Sequence, residues 1–139
     1  MSARQTGLII TLVLMVLSVG LAIAQVSESV AKKPQPKSIE LNLSSSEYQR
    51  LLGGPPDSVT MRSGLVTLAP GKTVGKHNTE DYEEVLIVLQ GQGKMMMSEG
   101  NAIVLKYGLM LYCPPGTEHD VQNTGTEPLK YIYIVAKAK

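Results

Sequence analysis

The sequence predicts an all-β domain, a small antiparallel sandwich or barrel, standing behind an N-terminal export signal. Three observations predict it. Seven short segments rich in Val, Ile, Leu, Thr and Tyr follow one another from Thr60 onward. Gly/Pro or Asn/Gly turn signals separate them, the pattern of many short strands rather than of helices. The first two dozen residues read as a targeting segment and not as part of the fold.

In that targeting segment Arg4 supplies a short basic start, and Gly7 to Ala24 carries no charge. Ala22-Ile23-Ala24 is the small-x-small pattern that signal peptidase accepts, so residues 1–24 are expected to be a signal peptide and the mature chain to begin at Gln25. The alternative is an uncleaved anchor, for which an uncharged stretch of about 18 residues is at the short end. The expected location is therefore periplasmic or extracellular, or membrane-anchored if the segment is retained. Residues 25–37 hold Lys32, Lys33, Pro34 and Pro36 without periodicity and read as a polar tether; residues 38–139 form the domain.

Beyond residue 24 the chain loses only Arg4 of its 13 basic residues and keeps all 12 acidic ones, so its formal charge is zero. That balance gives no electrostatic reason to expect nucleic acid or an anionic membrane as a partner. The chain has no Phe and no Trp, and its aromatic packing rests on six Tyr. Cys113 is the only cysteine, so no intrachain disulfide can form, and it is expected to be a small buried apolar residue.

In order, Ile39, Leu41 and Leu43 alternate with polar residues as in a half-buried strand. Ser44–Ser46 are placed to cap a short helical turn through Glu47–Leu52, which Gly53-Gly54 and Pro55-Pro56 stop. The strands then expected are Thr60–Leu68, Glu84–Gln90, Lys94–Ser98, Ala102–Lys106, Leu109–Cys113, Glu118–Gln122 and Leu129–Val135. Val85–Leu89 and Tyr131–Val135 are apolar on both faces. One face can line a barrel, and the other needs cover, which predicts a homodimer.

Two stretches carry chemistry. Gly71, five residues, His77, Asn78, Thr79, four residues, Glu84, six residues and Gly91 form the first. Gly108, Pro114, Gly116, His119 and Asn123 form the second. These resemble the two motifs of the cupin superfamily, G-x5-H-x-H-x(3,4)-E-x6-G and G-x5-P-x-G-x2-H-x3-N, as found in its small single-domain members. The second motif is complete; in the first, Thr79 stands where the second His is usual. The resemblance implies a jelly-roll-type barrel with metal ligands pointing inward at one end. It also implies a divalent ion on His77, Glu84 and His119. Two imidazoles and a carboxylate suit Mn, Fe, Ni or Zn and leave coordination positions open.

Other residues have milder readings. Of the adjacent Glu83 and Glu84 only one can face inward, and the spacing to Gly91 selects Glu84, leaving Glu80, Asp81 and Glu83 to a solvated loop. Met95-Met96-Met97 reads as strand packing rather than as a copper site. Tyr112, Tyr131 and Tyr133 suit either the pocket or a dimer contact, and Asn123 a turn or a place supporting the ligands from behind rather than a ligand position. The partner expected is a small-molecule ligand or substrate. Three roles remain open: a metal-dependent enzyme, a binding module without turnover, with or without metal, and a structural role in the cell envelope.

Overall fold

The computed structural model of the protein describes residues 33–98 and 100–138; the expected signal peptide and the first part of the tether lie outside them. Nine strands account for the regular structure: β1 (Gln49–Gly53), β2 (Arg62–Leu68), β3 (His77–Asn78), β4 (Tyr82–Gln90), β5 (Gln92–Met97), β6 (Ala102–Lys106), β7 (Met110–Cys113), β8 (Glu118–Gln122) and β9 (Leu129–Lys137). All pairings between strands are antiparallel. One sheet has the order β1-β2-β9-β4-β7 and the other β3-β8-β5-β6, an all-β jelly-roll-type barrel of two facing layers.

Alternation along the strands builds the core. In β4, Glu84, Leu86 and Val88 are buried while Val85, Ile87 and Leu89 are only half-buried. Register carries the inward face sideways: Leu86 stands between Tyr133 and Leu111, and Val88 beside Tyr131. Met95, Leu105 and Val121 face them from the second sheet and complete the core. Gly93 is buried where β5 runs close against β8: a Cβ there would collide with the Gln122 carbonyl.

Two local expectations are corrected. Glu47–Leu52 does not form a helical turn; Gln49–Gly53 is a strand paired with β2. Ser45 Oγ does accept from the Glu47 N–H at 3.0 Å, but this local turn leads into the sheet edge. The ladder to β2 offers more than a single isolated turn, and tertiary pairing overrides helix propensity. Ile39–Leu43 forms no strand, and Ile39, Leu41 and Leu43 are exposed, because β1 occupies the edge beside β2. The Leu43 carbonyl at the end of this segment, and that of Ser45 just beyond it, accept from the buried Lys130 ammonium.

The outer face of the first sheet is apolar. Ile134, Val85 and Tyr112 stand in one cross-strand row, and Ile132, Ile87 and Met110 in the next. Tyr112 and Met110 are more than half exposed.

Candidate functional site

The two histidines lie directly opposite each other, His77 on β3 and His119 on β8, so their side chains share the inward face of the second sheet. Their ring centroids are 4.3 Å apart. Glu84 comes from the other layer, at the first buried position of β4. One ligand atom from each residue lies within 4.8 Å of the other two, and the three form a group able to hold a metal ion. Strand alternation also separates the adjacent acids: Glu84 is buried and Glu83 exposed.

Each imidazole is oriented from behind. His77 Nδ1 is 2.9 Å from the Gly75 carbonyl, and His119 Nδ1 is 3.3 Å from the Thr117 carbonyl. With Nδ1 as donor, Nε2 keeps its lone pair, the arrangement a metal-binding imidazole needs. His119 is 1% exposed, and its Nε2 makes no hydrogen bond. That nitrogen is 3.2 Å from Glu84 Oε2, close enough for attraction between the two when the imidazole is protonated. A buried polar atom left without a partner is costly. A cation shared by Nε2 and the carboxylate removes that cost, so the donor set fits a divalent ion. Burial works to lower the His119 pKa, but the Glu84 carboxylate, together with the Thr117 carbonyl and the Asp120 charge, outweighs it and holds the pKa above the usual imidazole value.

Thr79 is occupied elsewhere. Its hydroxyl donates to the Pro114 carbonyl at 2.8 Å and accepts from the Thr117 N–H at 2.8 Å. It clamps the turn before His119, and it is not among the described residues lining the cavity. Asn123 is a turn residue, as its place in the second motif suggests: its amide donates to the Leu68 and Glu127 carbonyls, both at 2.8 Å.

A cavity of about 450 Å³ is lined in part by the three candidate ligand residues. Tyr131 and Tyr133 line it, whereas Tyr112 lies outside, its hydroxyl 3.3 Å from Glu83 Oε2. Burial pushes the Tyr131 and Tyr133 phenols well above their ordinary range, and the Glu84 charge adds to it, so both stay protonated. Tyr48 also lines the cavity, its hydroxyl 2.9 Å from that of Tyr133. Sequence reasoning missed Tyr48 because it sits where a helical turn was expected. Cys113 stands beside Glu84 in the ladder; burial first, then Glu84, pushes its thiol up to about 11. It contacts Met95 Sδ at 3.5 Å and behaves as a core residue. Met95 itself is fully buried in the core.

The cupin-domain family profile matches residues 64–135, just over half of the chain. The chain belongs to the cupin family. Among curated relatives, this cupin is 29% identical over 68 residues to an oxalate-binding protein from Thermotoga maritima, covering 49% of this chain and 55% of that one. It is 38% identical over 80 residues to a glucose-6-phosphate isomerase from Pyrococcus abyssi, covering 48% of this chain and 42% of that one. The chain thus spans about half the length of the curated relatives it matches. Among solved structures, a Cupin 2 conserved barrel domain protein from Salinispora arenicola superposes with a TM-score of 0.62 at 23% identity, covering 75% of this chain and 91% of that one. An RmlC-like cupin with a double-stranded β-helix fold from Methanocaldococcus jannaschii gives 0.63 at 17% identity, covering 73% and 91%. These likenesses establish the barrel fold.

Proposed function

We propose that this cupin holds a divalent cation on His77, Glu84 and His119 and binds a small molecule in the adjoining cavity. The observation that carries the reading is His119 Nε2, buried and without a hydrogen bond beside a buried carboxylate. A bound ion of this kind supplies Lewis acidity and open coordination positions. The chain's own part is to hold the two imidazoles by Gly75 and Thr117, to present one carboxylate from the facing sheet, and to wall the ligand with apolar and phenolic side chains. Two curated relatives support small-molecule recognition, one by its name a binder of oxalate and the other an isomerase of glucose 6-phosphate. Binding is common to a binding module and to an enzyme. Elemental analysis of the protein purified from its native compartment, followed by a substrate screen with the ion it contains, separates them. Turnover supports the enzyme, and saturable binding without turnover the module.

We further propose that the protein is exported and pairs as a homodimer. Export rests on residues 1–24 alone; N-terminal sequencing of the mature protein should start at Gln25, and an intact Met1 in a membrane fraction would support an anchor. Pairing rests on the apolar rows across β9, β4 and β7. Light scattering at micromolar concentration should give twice the chain mass, and Ile87→Lys, which puts a charge in the middle of the second row, should halve it. A wild-type monomer mass would count against the pairing.

A further inference from the structure

We propose that the cavity selects ligands of at most one negative charge, with an oxygen-chelating head, an apolar ring or branched body, and a second polar group that meets the Tyr48–Tyr133 hydroxyl pair. Dicarboxylates and sugar phosphates fit it poorly. The proposal rests on the metal reading above and narrows it to a substrate class.

The charge limit follows from the lining. The walls are Val66, Leu68, Leu86 and Val121 with the phenols of Tyr131 and Tyr133, and no Lys or Arg is among the described lining residues. The buried Lys130 is not free to help, because its ammonium is held by the Leu43 and Ser45 carbonyls. A divalent ion with one carboxylate, Glu84, carries a single net positive charge. A chelating monoanion neutralises it. A dianion leaves one negative charge with no Lys or Arg among the described lining residues to pair it, which is unfavourable. The wall chemistry therefore sets this chain apart from what two of its relatives' names describe, oxalate and glucose 6-phosphate.

The second anchor follows from Gly64. A Cβ at that position would lie 2.5 Å from Tyr48 Cε2 and 2.8 Å from Tyr133 Cε1, so glycine is what lets the two rings close over β2. Tyr48 is 55% exposed and stands at the cavity's margin, while Tyr133 is on the strand next to that of Glu84. Gly64 is one strand further, which places Tyr48 about 10 Å across the sheet from β4 at ordinary strand spacing. Either hydroxyl can donate in the Tyr48–Tyr133 bond, so a ligand hydroxyl can insert between them without leaving a donor unpaired. The cavity volume of about 450 Å³ gives room for a ring between the two anchors.

The test uses the full chain loaded with Co(II), whose visible absorption bands report ligands entering its coordination sphere. Cobalt is titrated alone first. The probes are kojic acid, a hydroxypyranone with a hydroxymethyl group away from its chelating oxygens; maltol, which lacks that group; oxalate; and glucose 6-phosphate. Kojic acid should shift the bands with a Kd about tenfold or more below either dianion, the cobalt staying with the protein on ultrafiltration. Tyr48→Phe should weaken kojic acid about fivefold and leave maltol and cobalt uptake unchanged, a pattern that a merely structural role would not give. Val74→Lys, at a half-exposed lining position, should narrow the preference over oxalate by supplying the missing cation. Oxalate or glucose 6-phosphate binding as tightly as kojic acid overturns the proposal while cobalt uptake preserves the metal reading. Equal loss of kojic acid and maltol in Tyr48→Phe, or no loss of either, overturns the second anchor. No cobalt uptake overturns both readings.

Discussion

Replacing His119 by Ala should abolish divalent-ion uptake while leaving a folded barrel. The side chain is the most deeply buried of the three ligand residues, and Nε2 has no other partner to satisfy. Removing one of three protein ligands should weaken binding by about a hundredfold or more, since even partners that only orient a ligand are worth 10- to 100-fold. His77→Ala should act in the same direction. Glu84→Gln keeps the shape but removes the charge that neutralises the ion, and should also weaken binding. Thr79→Val makes a useful contrast. It deletes two hydrogen bonds in the turn before His119 and should cost about 1–2 kcal/mol of stability, while ion uptake by the folded protein persists. Calorimetric titration of metal-stripped wild type and variants with Mn, Fe(II), Ni and Zn measures all of this. If the wild type binds none of these ions tightly, or if His119→Ala binds as well as wild type, the metal reading fails and a metal-free ligand barrel replaces it.

The same titration has a predictable pH dependence. Glu84 holds the His119 pKa in the metal-free protein above its ordinary value of 6.5. The stabilisation from the His119–Glu84 pair is therefore present in full below the unfolded value and is lost as pH rises through the folded value. Ion binding runs the opposite way. The ion must displace the imidazole proton, so affinity should climb as pH rises to the folded value of His119 and level off above it. Affinity that is flat across that interval would argue that His119 is not a ligand.

Asn123→Ala should produce the largest loss of stability among the residues around the site. Asn123 is fully buried. Its amide donates to Leu68 at the end of β2 and to Glu127 before β9, and its Oδ1 accepts from the Gly125 N–H at 2.9 Å. Alanine deletes three part-buried hydrogen bonds at once. The expected cost is about 3 kcal/mol, at roughly 1 kcal/mol for each bond lost. For a domain of this size that lowers the Tm by about 10 °C or more. Asn123→Asp keeps the acceptor but turns both donor bonds into contacts between a carboxylate and carbonyls, and should be as damaging. Thermal unfolding of the metal-free proteins is the measurement. A Tm within about 2 °C of wild type would mean that the three backbone groups find other partners.

Much of the barrel was legible because strand signals are local. Ala102–Lys106 and Glu118–Gln122 have the bounds their composition suggests, and the other five expected strands differ only at their ends. Residue alternation allowed only one of Glu83 and Glu84 to face inward, and the spacing to Gly91 picked Glu84, the one that is buried. Reading failed where a segment's fate depends on a distant partner. Glu47–Leu52 has the capping and composition of a helical turn, but β2 offers it a sheet edge. The Ile39–Leu43 alternation joins no strand, the place beside β2 being taken by β1. β3 was missed because two residues are too short to show a period.

By itself the sequence determined the all-β class, the turns, the order of the two motifs, and the identity of His77, Glu84 and His119 as the candidate ligands. The class, the turns and the motif order are written in spacing and side-chain chemistry within short windows, and the ligand set is what the resemblance to the cupin motifs implies. Only the tertiary structure decided that the three ligand atoms meet across two facing sheets, that the Thr79 hydroxyl is taken up by a turn, and that Tyr48 reaches Tyr133 over a bare Gly64. The physical reason is distance along the chain: Tyr48 and Tyr133 are 85 residues apart, and which edge a strand joins is set by packing that no local pattern encodes.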